Sequence, residues 1–168
     1  MSSHTGPVPA NPALRDPVNQ VSAKAPVLWA VGAAITSTVL LVVLVVVDVV
    51  WLDVPWWVYP PVVVLLVAYV AVMPRVRYRI HRWESTDTAV YTQTGWLSRE
   101  RRIAPMSRVQ TIDFEQGWID RLLGLASVTV TTASAAGPLQ ISAIDKPVAD
   151  RLVEDLTRRT EAEAGDAT

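Results

Sequence analysis

The sequence predicts a helical membrane hairpin followed by a small α+β domain that is mainly β. Three observations support this fold class: two long apolar runs, a succession of short β-like segments after them, and an amphipathic helix near the C-terminus. The apolar stretch from Val27 to Met73 covers 47 of the 168 residues. The remainder leaves about 90 residues for one soluble domain, which is a common domain size.

The first apolar run, Val27 to Val47, has 21 residues and no charge. A helix needs about 20 residues to cross the hydrocarbon core. Valine favours strands in water, but a lone strand in lipid leaves its backbone polar groups unpaired, whereas a helix pairs them internally. The thirteen Val, Leu and Ile residues of the run contribute about −4 to −8 kcal/mol near mid-membrane. The run is therefore predicted to be a transmembrane helix.

The second apolar run, Trp56 to Met73, follows a connector of a few residues. So short a connector returns the chain across the membrane in the opposite direction. Pro60 and Pro61 fall within this run. We expect the segment before them to lie in the interface or to form a first turn, and the helix to kink at the prolines.

Basic residues lie before the first apolar run and after the second. The connector between the runs carries no basic residue, and its charged residues are Asp48 and Asp53. Positive flanks stay in the cytoplasm, so we expect a multi-pass protein of the cell (inner) membrane with both termini cytoplasmic. The basic residues expected to face the membrane and its lipids are Arg75, Arg77, Arg79 and Arg82. The aromatic residues expected at the interfaces are Trp51, Trp56, Trp57 and Tyr59 outside and Trp29 inside.

The predicted organisation has four parts. Residues 1–25 are expected to form a disordered cytoplasmic N-terminus, since four prolines and few bulky apolar residues cannot build a core. Residues 26–74 form the transmembrane hairpin, residues 75–160 the cytoplasmic domain, and residues 161–168 a disordered acidic tail. The first apolar run starts late and is too long for a secretory signal peptide.

The domain is expected to contain six or seven strands and two helices. Period-two alternation and β-branched residues predict the strands, with candidates at 75–82, 88–94, 97–103, 108–114, 127–132 and 138–144. Residues 117–125 suggest a short helix or turn that Gly124 ends. Residues 146–160 suggest an amphipathic helix that Asp145 caps, with Pro147 in its first turn. This order favours a small β-barrel or sandwich capped by the last helix.

The residues provide little for catalysis or metal binding. The chain has no cysteine, which excludes disulfides, thiolate metal sites and a cysteine nucleophile. No HExxH, P-loop, GxGxxG or GxSxG motif occurs. Asp113, Glu115 and Asp120 have the spacing of a solvated edge, and His81 lies among arginines that disfavour its charged form. We expect no enzyme activity, cofactor, metal, small-molecule substrate or nucleic-acid partner.

A second group of arginines is a possible ligand or partner patch. Its members are Arg99, Arg101, Arg102 and Arg108. Arg99 and Arg101 lie on one strand face and Arg102 lies on the other. This alternation argues against one pocket formed by all of these arginines. Two interpretations stay open: the basic residues serve topology and anchoring alone, or they form a site for lipid phosphate or an acidic partner. We expect core or interface positions, rather than a stacking platform for a ligand, for three tryptophans of the domain: Trp83, Trp96 and Trp118.

The segment from Arg82 to Asp145 resembles the bacterial pleckstrin-homology-like domain of small YdbS-like membrane proteins. The resemblance rests on the order and spacing of Thr94-Gly95-Trp96, Arg102-Ile103-Ala104-Pro105, Ser107-Arg108-Val109-Gln110-Thr111, Arg121-Leu122-Leu123-Gly124-Leu125 and Val128-Thr129-Val130. With the two spans, it covers about residues 25 to 160. It implies two near-orthogonal antiparallel sheets capped by a C-terminal helix, and action beside a larger membrane relative with several such domains.

These expectations favour a non-catalytic, membrane-anchored protein that mediates protein assembly at the cytoplasmic face. The expected partners are the lipid bilayer and a related pleckstrin-homology-like membrane protein or a second copy of the chain. The alternative function is a sensor of anionic lipid headgroups that uses the arginines. Basic loops hold phosphoinositides in unrelated eukaryotic domains of this fold, but fold alone does not transfer that function.

Overall fold

The structure, a computed structural model, describes residues 16–133 and 137–166. Two long helices come first and pack against each other: α1 (Ala25–Val47) and α2 (Tyr59–Ile80). A π-helical turn (Asp48–Leu52) extends α1, and a 3-10 turn (Trp56–Val58) precedes α2. With these turns, both helices are long and apolar enough to cross a membrane, and most of their residues are exposed.

Asp48 organises the connector between the helices. Its carboxylate accepts hydrogen bonds from the backbone N–H of Val54 and from the hydroxyl of Tyr59. Pro60 and Pro61 lie in the first turn of α2, where a missing N–H removes no helical hydrogen bond. The proline inside the helix is Pro74, and α2 continues through it.

Helix α2 extends further than the sequence indicated, and the predicted strand at residues 75–82 is wrong. The helix runs to Ile80, and only Arg82–Ser85 forms a strand. Alternation of arginine with Val76 and Tyr78 resembles a strand. The helical conformation prevails here with Arg77 and His81 one turn apart, so that both contact Trp29.

The first sheet contains four antiparallel strands in the order β1-β2-β3-β4. Their bounds are Asn19–Gln20 (β1), Arg82–Ser85 (β2), Ala89–Gly95 (β3) and Arg99–Pro105 (β4). Strand β1 corrects the expectation of a disordered N-terminus over residues 16–25, because Asn19 and Gln20 pair with Trp83 and Arg82. Residues 1–15 of that predicted segment lie outside the described residues.

The second sheet contains three antiparallel strands in the order β5-β6-β7. Their bounds are Val109–Glu115 (β5), Leu125–Thr132 (β6) and Leu139–Asp145 (β7). Helix α3 (Trp118–Leu123) connects β5 to β6, and helix α4 (Lys146–Asp166) follows β7. Since α4 includes residues 161–166, disorder was a wrong prediction for that part of the tail; Ala and Glu there are good helix formers. Residues 167–168 lie outside the described residues.

The core lies between the sheets and α4. Strands β6 and β7 bury alternate side chains, and α4 adds Leu152 and Leu156 at helical spacing. Val21, Ala25 and Trp29 belong to the same buried cluster. The first turns of α1 are therefore part of the domain. The predicted fold class is confirmed: two apolar helices, two antiparallel sheets and a C-terminal helix.

Candidate functional site

The two helices meet the domain at three packed side chains, the junction cluster of Trp29, Arg77 and His81. The guanidinium carbon of Arg77 lies 4.5 Å from the centroid of the Trp29 ring, a cation–π contact. The ring centroids of Trp29 and His81 are 4.8 Å apart. Trp29, expected at the inner interface, is buried in this cluster. Because Arg77 and His81 come from the end of α2, the cluster joins both helices to the domain.

His81 is held neutral in this cluster. Arg77 Nε donates to His81 Nε2 at 3.3 Å, so Nε2 is an acceptor without a proton. Nδ1 therefore carries the proton and donates to the Arg77 carbonyl oxygen at 3.0 Å. Burial lowers the pKa of His81 to about 4; the charge of Arg77 lowers it as well, and the hydrogen bond to the Arg77 carbonyl acts in the opposite direction. Both ring nitrogens are engaged, which leaves neither to act as a general base.

A polar pocket of about 250 Å³ opens beside the junction cluster. The end of α2 forms one wall, β3 and β4 a second, and Gln140 and Ser142 of β7 a third. Arg102 lies in this pocket with its charge balanced: its Nε donates to Glu100 at 2.6 Å and its Nη1 to the Pro138 carbonyl oxygen at 3.0 Å. The pocket thus combines hydroxyl and amide groups with an internally paired arginine.

The four basic residues after Pro74 do not share one environment. Arg75 and Arg79 are exposed on α2, and Arg75 donates to the Ala71 carbonyl oxygen one turn earlier. Arg77 turns into the junction cluster. Arg82 is the first residue of β2 and is half-buried. Only Arg75 and Arg79 are thus placed on the open surface of the α2 end.

Three of the four arginines proposed as a patch line one groove, the arginine groove of Arg101, Arg102 and Arg108. Its volume is about 340 Å³, and Thr132, Gly137 and Leu139 are also among its lining residues. Arg101 pairs with Asp16, and its Nε donates to Gln93 Oε1 at 2.9 Å. Arg108 is exposed at its rim. Arg99 begins β4 at the other end of that strand and does not line the groove.

The connector aromatics lie together at the far end of the hairpin. Trp51, Trp56 and Trp57 are exposed, and Tyr59 is half-buried against Asp48. The structure thus brings together the aromatic residues that the sequence predicts at the outer interface, and their place at a membrane interface stays a prediction.

Two exposed apolar features contain Trp96 and Trp118, which the sequence favoured as core or interface residues, together with the leucines Leu97 and Leu122, which it did not single out. The first is the turn between β3 and β4, where Leu97 is 83% exposed and Trp96 contacts Tyr69 of α2. The second is α3, where Trp118 is 70% and Leu122 is 79% exposed. The i, i+4 spacing of Trp118 and Leu122 places them on one helix face, and this spacing was the available signal. Trp83, by contrast, is a core residue.

The acidic residues considered as metal ligands have other positions. Asp113 and Glu115 are exposed on β5, and Asp120 Oδ2 accepts from the Gly117 N–H at 3.0 Å at the start of α3. Within residues 16–133 and 137–166, no group of three or more His, Asp and Glu residues is placed to hold a metal ion.

Comparison with known proteins identifies the family. The sequence profile described as Bacterial PH domain matches residues 26–160. The chain belongs to this family. The matched residues include both apolar helices. The transmembrane protein YdbS of Bacillus subtilis (strain 168) is 31% identical to this chain over 148 residues. The aligned residues cover 84% of this chain and 92% of that relative. No solved structure matches the chain significantly. The resemblance noted in the sequence is confirmed, and the chain is a membrane-associated protein of the bacterial PH domain family.

Proposed function

We propose that this protein is non-catalytic, crosses the membrane twice with both termini in the cytoplasm, and mediates protein assembly through its PH domain. The observation that supports assembly best is the exposed face of α3, where Trp118 and Leu122 lie in solvent. Large apolar side chains at this exposure are typical of interaction sites.

The topology rests on helix length and charge. Each helix has the length to cross a bilayer. Lys24 lies at the start of α1, Arg75 and Arg79 lie near the end of α2, and the connector carries only acidic charges. By the positive-inside rule, this distribution of charge supports a PH domain on the cytoplasmic side. Fusion of a reporter to the C-terminus tests this arrangement, and a periplasmic or external signal would contradict it.

The absence of catalysis is supported by His81, whose two nitrogens are already used by Arg77. Among the described residues, His81 is the single histidine. Turnover of a substrate by the purified full chain would contradict this part of the proposal.

The partner proposed for α3 is the PH domain of a neighbouring membrane protein, either a relative or a second copy. The Lys24 ammonium group donates to the Leu123 carbonyl oxygen at 2.8 Å, and this bond holds α3 beside the start of α1. The exposed face of α3 is thereby held near the membrane surface. Another membrane-anchored domain would lie at the same distance from the membrane and could contact it.

Site-specific cross-linking tests the assembly role, because the natural chain has no cysteine. Leu122→Cys is labelled with a short photoreactive cross-linker in native membranes. We expect one discrete adduct with a PH domain membrane protein or with a second copy. Ser107→Cys, also at an exposed position, is the matched control and should not give that adduct. Equal products from both positions, or none from Leu122→Cys, would contradict the proposal.

A second candidate function is recognition of anionic lipid headgroups, because three arginines line one groove of about 340 Å³. Two of them already have acidic or amide partners, which is why we rank this function second.

Since β1 and the start of α1 complete the domain, the full chain is required for the test. Native mass spectrometry of the solubilised protein with phosphatidylglycerol or phosphatidylcholine should show selective binding of the anionic lipid. Arg108→Gln should lose it and Arg158→Gln, on α4, should keep it; equal binding of both lipids would reject this function.

A further inference from the structure

The turn between β3 and β4 reaches along α2 towards the apolar part of that helix. Gln93 Nε2 donates to the Ile80 carbonyl oxygen at 3.1 Å, which places β3 beside the end of α2. From Gln93 the strand continues towards Gly95, and Trp96 then meets Tyr69 edge-to-face with 5.9 Å between ring centroids. The hairpin therefore extends past the end of α2, back along its length.

The position of Tyr69 sets how far the hairpin reaches. Tyr69 lies four residues before Met73, where the uncharged run of α2 ends, and six residues before Arg75. At 1.5 Å per residue, Tyr69 is about 6 Å inside the apolar run and about 9 Å beyond the level of Arg75. Basic residues at the end of a membrane helix mark the headgroup region. The Trp96 ring is thus on the membrane side of that region.

The side chains of the turn suit this depth. Leu97, next to Trp96, is 83% exposed. Arg99 is exposed at the start of β4, directly after the turn. Tryptophan and leucine followed by arginine is a sequence that places apolar groups among acyl chains and a cation at the phosphates.

Gly95 fixes the direction of the turn. Its φ of 126° is a conformation that residues with a side chain rarely adopt. A Cβ at this position would lie 1.8 Å from the Ser98 carbonyl oxygen. The four residues 95–98 therefore form a tight tip that keeps Trp96 against α2 and leaves Leu97 outward.

We infer that this tip, residues 95–98, inserts into the cytoplasmic leaflet of the lipid bilayer beside α2. The inference rests on the proposed membrane crossing and adds a second, independent membrane contact made by the PH domain itself. The lipid-facing surface of α2 is continuous with the tip through the Tyr69–Trp96 contact. The occupant that this continuity favours is lipid, whose acyl chains already surround a crossing helix.

Depth-dependent quenching tests the insertion in the full chain. A single cysteine at Leu97→Cys carries an environment-sensitive fluorophore, and the protein is reconstituted in phosphatidylcholine–phosphatidylglycerol vesicles with nitroxide-labelled acyl chains. We expect a blue shift and a loss of fluorescence. Ser107→Cys, which follows the far end of β4, is the control that should show neither effect.

A third label separates this inference from the proposed crossing. Val43→Cys lies on the exposed surface of α1 and should be quenched whenever the helices span the bilayer. Quenching at Val43 without quenching at Leu97 overturns the insertion and leaves the crossing intact. Loss of quenching at Val43 overturns the crossing itself. A blue shift at Leu97 without quenching by lipid shows that protein covers the tip, and this also overturns the insertion.

Discussion

Protonation of His81 should weaken the fold in a defined pH range. An unfolded histidine has a pKa near 6.5, and burial beside Arg77 lowers the pKa of folded His81 to about 4. Above pH 6.5 both states are neutral, so the residue makes no pH-dependent contribution. As the pH falls below 6.5, the unfolded state binds a proton that the folded state rejects, and the free energy of unfolding decreases until about pH 4.

The magnitude follows from the two pKa values. One pKa unit corresponds to about 1.4 kcal/mol, so the full decrease is about 3 kcal/mol. By pH 5, about 2 kcal/mol of this is lost. The fold retains a neutral His81 over this range because burial, and then the charge of Arg77, lower the pKa of its ring.

Equilibrium unfolding in mild detergent, followed by circular dichroism at pH 5, 6 and 7, measures this loss. His81→Gln, which does not titrate, should remove it. His4→Gln is the control and should retain the pH profile of the natural chain. The NMR signal of the His81 ring provides a direct check on the pKa. A midpoint near 6.5, or the same pH dependence in His81→Gln and the natural chain, would refute the reasoning.

Two further predictions concern the attachment of α4 and α1 to the domain. Leu156→Ala should lower the free energy of unfolding by about 2 to 5 kcal/mol, because Leu156 is buried in the core, and thermal unfolding should show this against Leu122→Ala at an exposed position. Ser22→Ala should cost about 1 to 3 kcal/mol, because it removes the 2.8 Å hydrogen bond from Ser22 Oγ to Asp145. Denaturant titration checks the second prediction against Ser107→Ala, and an equal change in both variants would contradict it.

Much of the architecture could be predicted because its signals are local. The charge-free run of 21 residues predicts a helix long enough to cross a hydrocarbon core, and this signal lies within the run itself. Each of the strands β3 to β7 lies within two residues of its predicted bounds, and β-branched residues are frequent in β3, β5 and β6. Helix α4 begins where Asp145 and Pro147 indicated.

The features that the sequence did not reveal depend on contacts between distant residues. Strand β1 is two residues long and exists through pairing with Arg82 and Trp83. The end of α2 alternates like a strand, and its helical form is seen only once Trp29 is placed beside Arg77. Propensity is a weak signal wherever such tertiary contacts decide the conformation.

The candidate sites also combine features that are evident in the sequence with features that depend on contacts between distant residues. The arginines of the groove are evident in the sequence, but strand alternation places Arg101 and Arg102 on opposite faces and argues against a shared groove. The structure brings both to one groove together with Arg108. The reach of the β3–β4 turn to Tyr69 has no sequence signal, because a hairpin pattern does not indicate where the hairpin points.

Both helices are attached to the sheets without a flexible linker between helix and domain. A single residue, His81, separates α2 from β2, while the backbone N–H of Ser22 donates to the Ala143 carbonyl oxygen at 3.0 Å just before α1 begins. A bilayer that becomes thicker or thinner changes the tilt of crossing helices. If both helices cross the bilayer as proposed, such a change would rotate the whole PH domain relative to the membrane plane and alter which of its surfaces face neighbouring proteins.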